Sequence, residues 1–155
     1  MDRKGILVLG IGNLLMGDEG VGVHAVRWME QDSFSPNVTL VDGGTGGFHL
    51  LSYFQDYDPI VMIDATMDGN PPGTVNLLQP CFAADFPHTL SAHDIGLRDL
   101  LESASLLHAL PKIFLITVSI ESIQNMQMEL SQRVGQSIPV VAALVHSVLK
   151  QYSEK

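Results

Sequence analysis

The sequence predicts an α/β fold, a three-layer α/β/α sandwich with a mainly parallel, twisted sheet of about five strands and helices on both faces. Two observations support this fold class. Short apolar runs alternate along the chain with segments in which apolar residues recur at helical spacing. In addition, Ile113–Val118 has the continuous apolar character that is typical of a strand buried on both faces.

The elements follow one another in a regular order. Apolar runs predict strands at Gly5–Leu9, Val38–Val41, Ile60–Ile63, Gly73–Leu78 and Lys112–Val118. Helical spacing predicts helices at Gly20 to about Asp32, Phe48–Phe54, His93 to about Leu107, and Pro139–Tyr152. Because the Gly73–Leu78 strand follows a tight proline and glycine turn, we expect it to be antiparallel or to lie at an edge of the sheet.

The composition predicts a single domain over residues 1–155 with a sizeable hydrophobic core. Hydrophobic residues make up 46% of the chain and charged residues only 16%, which argues against disorder. The net charge of −9 argues against nucleic acid and anionic membranes as partners. A single cysteine, Cys81, cannot form an internal disulfide, and no signal peptide or membrane span is recognisable, so we expect a cytoplasmic location.

The first predicted strand runs into a loop rich in glycine, residues 10–22, that carries the acidic pair Asp18 and Glu19. A dinucleotide fingerprint would need Gly-x-Gly-x-x-Gly, but Leu15 stands at the third position. The acidic pair would also repel a pyrophosphate at the start of the following helix. No Gly-Lys-Ser/Thr motif is present. The loop therefore argues against a bound nucleotide and presents carboxylates instead.

Three side chains suited to metal binding occupy related places in the predicted fold. Glu19 follows the first strand, Asp64 closes the third strand, and His93 stands at the start of a predicted helix. If the first and third strands are parallel neighbours, Glu19 and Asp64 emerge at the same edge, and a helix that begins above this edge brings His93 to them. Two carboxylates and one imidazole suit a borderline divalent ion such as nickel or zinc.

Simpler interpretations of these residues stay open at this point. A carboxylate just after a strand is often a helix cap or a turn former, and an acidic pair near a helix start offsets the helix dipole. The loop Asp42-Gly43-Gly44-Thr45-Gly46-Gly47 also has two interpretations. Gly43, Gly44 and Thr45 are candidates for contact with a substrate, or the loop is a tight strand-to-helix connection.

The chain resembles the hydrogenase maturation proteases, which process the large subunit of nickel–iron hydrogenases. The matching segments occur in family order over most of the chain. They are Gly10–Leu15, Asp18–Gly22, Asp42–Gly47, Ile63–Ala65, Pro72–Thr74 and Ser91–Leu97.

The resemblance implies that Glu19, Asp64 and His93 bind metal. It also implies an endopeptidase that removes a C-terminal extension from the precursor large subunit after nickel insertion, with nickel supplied by the substrate. Other divalent ions are expected to substitute for nickel. The metal would act as a Lewis acid or lower the pKa of a bound water. The sequence does not assign the general base, for which Asp42 is a candidate.

One segment departs from the family pattern. Many members have a proline shortly after the last strand, where this chain reads Thr117-Val118-Ser119-Ile120-Glu121-Ser122. We expect this loop to contact the partner, so the departure concerns which partner the protein recognises. The departure also leaves an alternative open, a noncatalytic nickel-sensing or chaperone domain that docks on the large subunit.

Overall fold

One five-stranded sheet forms the centre of the molecule, with the strand order β2-β1-β3-β5-β4. The structure is a computed structural model and describes residues 3–45, 48–81, 85, 87, 97–107 and 109–153. The strands are β1 (Ile6–Gly10), β2 (Val38–Asp42), β3 (Ile60–Thr66), β4 (Val75–Leu78) and β5 (Ile113–Ser119).

The sheet is mainly parallel, as predicted. β1 lies between β2 and β3 and is parallel to both, and β3 is parallel to β5. β4 pairs antiparallel with β5 and is an edge strand of the sheet, so both expectations for this strand are confirmed. Because the four parallel strands share one direction, their carboxyl ends meet at a single edge of the sheet, which we call the carboxyl edge.

Helices cover both faces of the sheet, which confirms the predicted three-layer sandwich. The α-helices are α1 (Val21–Met29), α2 (Leu51–Asp56), α3 (Leu97–Leu107) and α4 (Gln132–Ser153). Side chains from α1 and α4 pack on one face of the sheet, and side chains from α2 and α3 pack on the other.

The alternation of side chains along β3 shows how one strand serves both layers. Val61 and Ile63 belong to the core beneath α1 and α4, whereas Ile60 and Met62 belong to the core beneath α2 and α3. All four side chains are fully buried. Each such burial contributes about 1.5–3 kcal/mol to folding.

The predicted element boundaries differ from the structure mostly by a few residues. β1 and β5 are each displaced by one residue, and β2 extends to Asp42. The helix predicted from Gly20 is a 3-10 helix over Gly17–Gly20 followed by α1. The first residues of the helix predicted from His93 lie outside the described residues, which resume at the start of α3.

The predicted start of the last helix is wrong. α4 begins at Gln132, and Pro139 lies inside it. A proline in a helix interior lacks an N–H and costs about 3 kcal/mol. The helix continues through it because Val134, Ile138 and Val141, spaced four and three residues apart, are buried against the sheet.

Among the described residues, no helix combines the length and the apolar character that crossing a membrane requires.

Candidate active site at the carboxyl edge

Glu19 lies in the 3-10 helix between β1 and α1, and its side chain is buried. This short helix contacts β3, so the chain that leaves β1 turns back over the neighbouring strand. Gly12 permits the turn, with φ of 150° and with no room for a Cβ atom beside the Glu19 carbonyl. The Glu19 carboxylate is thereby held at the carboxyl edge.

Asp64 lies within β3 and does not close it, so the prediction that the strand ends at Asp64 is wrong. β3 continues to Thr66 because β5 pairs with its last residues, through Asp64 with Thr117 and Thr66 with Ser119. The Asp64 side chain is fully buried. Its Oδ1 accepts a hydrogen bond from the backbone N–H of Ala65 at 2.8 Å, which orients the carboxylate along the strand.

Asp64 belongs to a set of buried polar side chains at the carboxyl ends of β3 and β5. Thr66, Thr117 and Ser119 are at most 3% exposed. Along each strand these polar residues alternate with apolar residues, and across the two strands Asp64 pairs with Thr117 and Thr66 pairs with Ser119. All four side chains therefore lie on the sheet face that α2 and α3 cover. The sequence motifs do not mark these hydroxyl residues as part of the site, although polar residues at the ends of two buried strands are a usable signal.

Asp18 anchors the loop that carries Glu19 to a distant part of the chain. The Asp18 side chain is 3% exposed and its Oδ1 accepts a hydrogen bond from the backbone N–H of Ser131 at 2.7 Å. The Asp18 backbone N–H donates to Oε1 of Gln124 at 2.8 Å. Both partners belong to the segment between β5 and α4. The sequence predicts Asp18 as a charge near a helix start and as part of a segment that matches the family, and its structural role appears only with these partners in place.

Further contacts hold the same segment against the loop. The backbone N–H of Gly17 donates to the Gln127 carbonyl at 2.6 Å, and the Gln127 N–H donates to Leu15 at 3.0 Å. Nε2 of His24 donates to the carbonyl of Met128 at 2.9 Å. The segment after β5 therefore holds the Glu19 loop in position.

The glycine loop after β2 is tied to the same edge. The Gly12 N–H donates to the Gly44 carbonyl at 2.7 Å, and the Gly43 N–H donates to Gly10 at 2.8 Å. Gly44 has φ of 56°, which favours glycine, whereas Gly43 is buried against Leu9. Thr45 is exposed. The structure thus places Gly43 and Gly44 beside the Glu19 loop, with Thr45 next in the chain, and contact of the three residues with a substrate stays a prediction.

Asp42, the candidate general base, has structural partners. Its Oδ1 accepts the Gly44 N–H at 2.9 Å, and its Oδ2 lies 3.2 Å from Nη2 of Arg27. The first contact closes a turn of the kind that aspartate commonly forms at loop starts. These contacts explain why an aspartate stands at the beginning of the glycine loop, and they require no catalytic role for it.

Asp68 follows β3 at the carboxyl edge. Slight burial raises its pKa, but hydrogen bonds from the backbone and side-chain amides of Asn70 and from the side chain of Ser119 outweigh this effect. The pKa of Asp68 is therefore lowered from its ordinary value of 3.8. The side chain is ionised at neutral pH and adds negative charge near the ends of β3 and β5.

His93, the third predicted metal ligand, lies outside the described residues. α3 begins shortly after it, and its buried residues Leu101 and Ala104 pack on the same sheet face as the Asp64 side of β3. Within the described ranges, no three His, Cys, Asp or Glu side chains come together as a metal-binding group. The structure therefore brings Glu19 and Asp64 to one edge and leaves the complete triad as a prediction.

The donor chemistry of this edge fits a divalent cation. Removing two carboxylates from water is unfavourable unless charge or hydrogen bonds compensate, and a bound cation supplies such compensation directly. Carboxylate oxygens are ligands for several divalent metals, and an added imidazole favours nickel or zinc. The buried Glu19 and Asp64 side chains are consistent with a site completed by a further ligand.

Comparison with known proteins identifies relatives of the chain over most of its length. The model of the hydrogenase maturation protease family matches residues 23–148. A hydrogenase 2 maturation protease of Escherichia coli strain K12 is 35% identical over 150 residues, which cover 94% of this chain and 87% of that protein.

Other relatives are longer than the aligned region. A hydrogenase expression/formation protein HupD of Bradyrhizobium diazoefficiens is 39% identical over 110 residues, which cover 69% of this chain and 57% of that protein. The chain spans little more than half the length of several further relatives.

The fold also matches solved structures. The hydrogenase maturating endopeptidase HybD from E. coli superposes with a TM-score of 0.86 at 33% identity, covering 96% of this chain and 93% of that chain. A nickel–iron hydrogenase maturation protease HybD from Thermococcus kodakarensis gives a TM-score of 0.77 at 26% identity, covering 93% and 98%. The α/β architecture is therefore shared with these proteins across nearly the whole chain.

Proposed function

The chain belongs to the hydrogenase maturation protease family, and we propose that it is an endopeptidase acting on the precursor large subunit of a nickel–iron hydrogenase. It would remove a C-terminal extension after nickel insertion and recognise the metal already bound to its substrate. The observation that carries the proposal is the burial of the Glu19 and Asp64 carboxylates at one edge of the sheet. The acidic composition also favours a protein substrate over a nucleic acid or an anionic membrane.

In this proposal Glu19, Asp64 and His93 complete the coordination of nickel that the precursor holds. The metal would supply Lewis acidity toward the scissile carbonyl or a lowered pKa for a bound water. The protein residues orient the substrate by binding its metal and exclude bulk water from the buried carboxylates. Other divalent ions of similar coordination preference would occupy the same ligands.

The rigid surroundings of Glu19 support this role. Hydrogen bonds with Gln124, Ser131 and the glycine loop hold residues 12–18, the stretch of chain that leads to the carboxylate. A ligand held in place before binding loses little conformational freedom when the metal arrives. The glycine loop lies beside it, and in this proposal an extended peptide passes along Gly43, Gly44 and Thr45. We place this reaction in the cytoplasm.

A processing assay with ligand variants tests the proposal. Nickel-loaded precursor is incubated with the parent protein, Glu19→Gln, Asp64→Asn or His93→Ala, and the mass of the large subunit is followed. We expect the parent to release a C-terminal peptide and the three variants to lose this activity while keeping their fold by circular dichroism. Glu30→Gln, which changes an exposed carboxylate just after α1, is the matched control and should cleave normally.

The outcomes separate the candidate functions. Normal cleavage by Glu19→Gln and Asp64→Asn would contradict the ligand assignment. A parent protein that binds the loaded precursor without cutting it would indicate the noncatalytic nickel-sensing or chaperone role instead.

A further inference from the structure

A cavity of about 470 Å³ opens at the carboxyl edge beyond the ends of β3 and β5. Its lining includes Met67, Asn70, Pro71, Pro72, Ile120 and Glu121. None of these residues belongs to the predicted metal site. Ile120 and Glu121 belong to the segment in which this chain departs from the family pattern. The size falls within the range of roughly 300–1,000 Å³ that is typical of ligand pockets.

Backbone hydrogen bonds fix the walls of this cavity. The Ile120 N–H donates to the Thr66 carbonyl at 2.9 Å, and the Gly73 N–H donates to the Ser119 carbonyl at 2.8 Å. The hydroxyl of Thr74 donates to the carbonyl of Pro71 at 2.6 Å, which closes the proline turn. The cavity is therefore formed by the fold itself before any ligand binds.

The lining combines an apolar wall with negative charge. Met67, Pro71, Pro72 and Ile120 present aliphatic surface, and Glu121 places an exposed carboxylate at the rim. Asp68, between the lining residues Met67 and Gly69 in the chain, carries a second carboxylate. Lysine and arginine side chains have this complementary character, because an aliphatic stem packs on apolar surface while the charged end stays near water or a carboxylate.

The distance from the site suits a peptide substrate. Met67 is three residues after Asp64 and directly follows the end of β3, so the two residues are at most about 10 Å apart at about 3.3 Å per residue. An extended peptide whose cleaved bond lies at Asp64 would therefore place a residue about three positions away at the cavity.

We propose that this cavity binds a short segment of the polypeptide substrate that carries a lysine or arginine side chain. The aliphatic stem packs against Met67, Pro72 and Ile120, and the cationic end lies near Glu121. The inference rests on the proposed function, since it assigns a specificity-determining subsite to the same substrate. The cavity contributes to substrate binding and does not touch the reacting atoms.

The test compares two exposed glutamates on the segment after β5. Both side chains are exposed, but Glu121 lines the cavity and Glu129 does not. The parent, Glu121→Gln, Glu121→Lys and Glu129→Lys are measured for the dissociation constant of the full precursor and for KM and kcat of processing. Thermal unfolding of each variant verifies the fold.

We expect Glu121→Lys to raise both the dissociation constant and KM by about tenfold, because it places like charges together. Glu121→Gln should raise them about threefold and weaken their dependence on salt. In both variants kcat should stay within about twofold of the parent. Glu129→Lys should leave all three quantities close to the parent values.

Equal dissociation constants for Glu121→Lys and Glu129→Lys would overturn the subsite, as would a fall in kcat at unchanged KM. The binding measurement separates the inference from the proposed function. If the parent binds the precursor without cutting it, the endopeptidase proposal fails, and a weaker complex with Glu121→Lys alone would still support the cavity as the binding subsite.

Discussion

The carboxylate of Asp18 accepts a hydrogen bond from the backbone N–H of Ser131 at 2.7 Å, across 113 positions of sequence. Ser131 immediately precedes α4, so the contact joins the loop after β1 to the start of the last helix. A negative charge at a helix start is also stabilising because it opposes the helix dipole. Asp18 is buried and precedes Glu19 in the chain, and it therefore fixes the position of the candidate metal ligand.

Replacing Asp18 by alanine is expected to lower the free energy of unfolding by about 1–3 kcal/mol, because the Ser131 N–H would lose its acceptor. Asp18→Asn keeps an oxygen acceptor and should lose less. Urea unfolding of the three proteins measures the difference. Equal stability of Asp18→Ala and the parent would show that this contact contributes nothing to the fold.

Gly22 lies where α1 crosses the sheet, and a Cβ atom there would press against the carbonyl oxygens of Ile63 and Ile11. We expect Gly22→Ala to destabilise the protein by about 3 kcal/mol or more, since backbone atoms cannot move aside. Gly135→Ala on α4 is the control, because the nearest atom is Cβ of Leu130 at 3.9 Å. That change should stabilise the helix by about 0.5–1 kcal/mol. A tolerated Gly22→Ala would contradict the close crossing of α1 over β1 and β3.

The architecture could be predicted from the sequence because the spacing of apolar residues indicates which side of each helix or strand is buried. The alternation of apolar strands with helical segments indicated the three layers, and the turn before β4 indicated its antiparallel edge position. One helix boundary is wrong because tertiary packing outweighed a local signal. Pro139 predicts the start of a helix, but α4 begins at Gln132 and has buried residues on both sides of this proline.

The candidate site was only partly accessible from sequence. Glu19 and Asp64 were placed at one edge because parallel strands end together, and the structure places both there. The sequence predicts that the third strand ends at Asp64, but the pairing of Thr66 with Ser119 extends β3 beyond this residue. The Asp18 contact with Ser131 joins segments far apart in sequence, and no periodic pattern signals a pairing of that kind.

Asp42 provides a test of the candidate general base. Its contacts with Gly44 and Arg27 indicate a structural role, so we expect Asp42→Asn to keep processing within a few-fold of the parent. The loss of the partly exposed ion pair with Arg27 should lower the free energy of unfolding by less than about 1 kcal/mol. Rates of precursor cleavage and urea unfolding check both points. Complete loss of cleavage in a folded Asp42→Asn protein would restore Asp42 as the base.

The lowered pKa of Asp68 predicts a small dependence of stability on acid. Because its pKa in the folded protein lies below the ordinary value of 3.8, the ionised side chain stabilises the fold above that pH. The contribution is lost as the pH falls through the folded pKa. Asp68→Asn should therefore be less stable than the parent at neutral pH, by under about 1 kcal/mol because the group is exposed. This difference should shrink in acid, and a difference that grows below pH 3.8 would contradict the direction of the shift.

In the proposed function, a metal held by the substrate gates peptide hydrolysis at the edge formed by Glu19 and Asp64. The most direct measurement is the mass of the cognate precursor large subunit after incubation with the parent protein, with and without bound nickel. We predict the loss of a C-terminal peptide from the nickel-loaded precursor alone, and no loss with Glu19→Gln. Equal cleavage of loaded and nickel-free precursor would contradict recognition of the metal, and no cleavage of either would contradict the endopeptidase function.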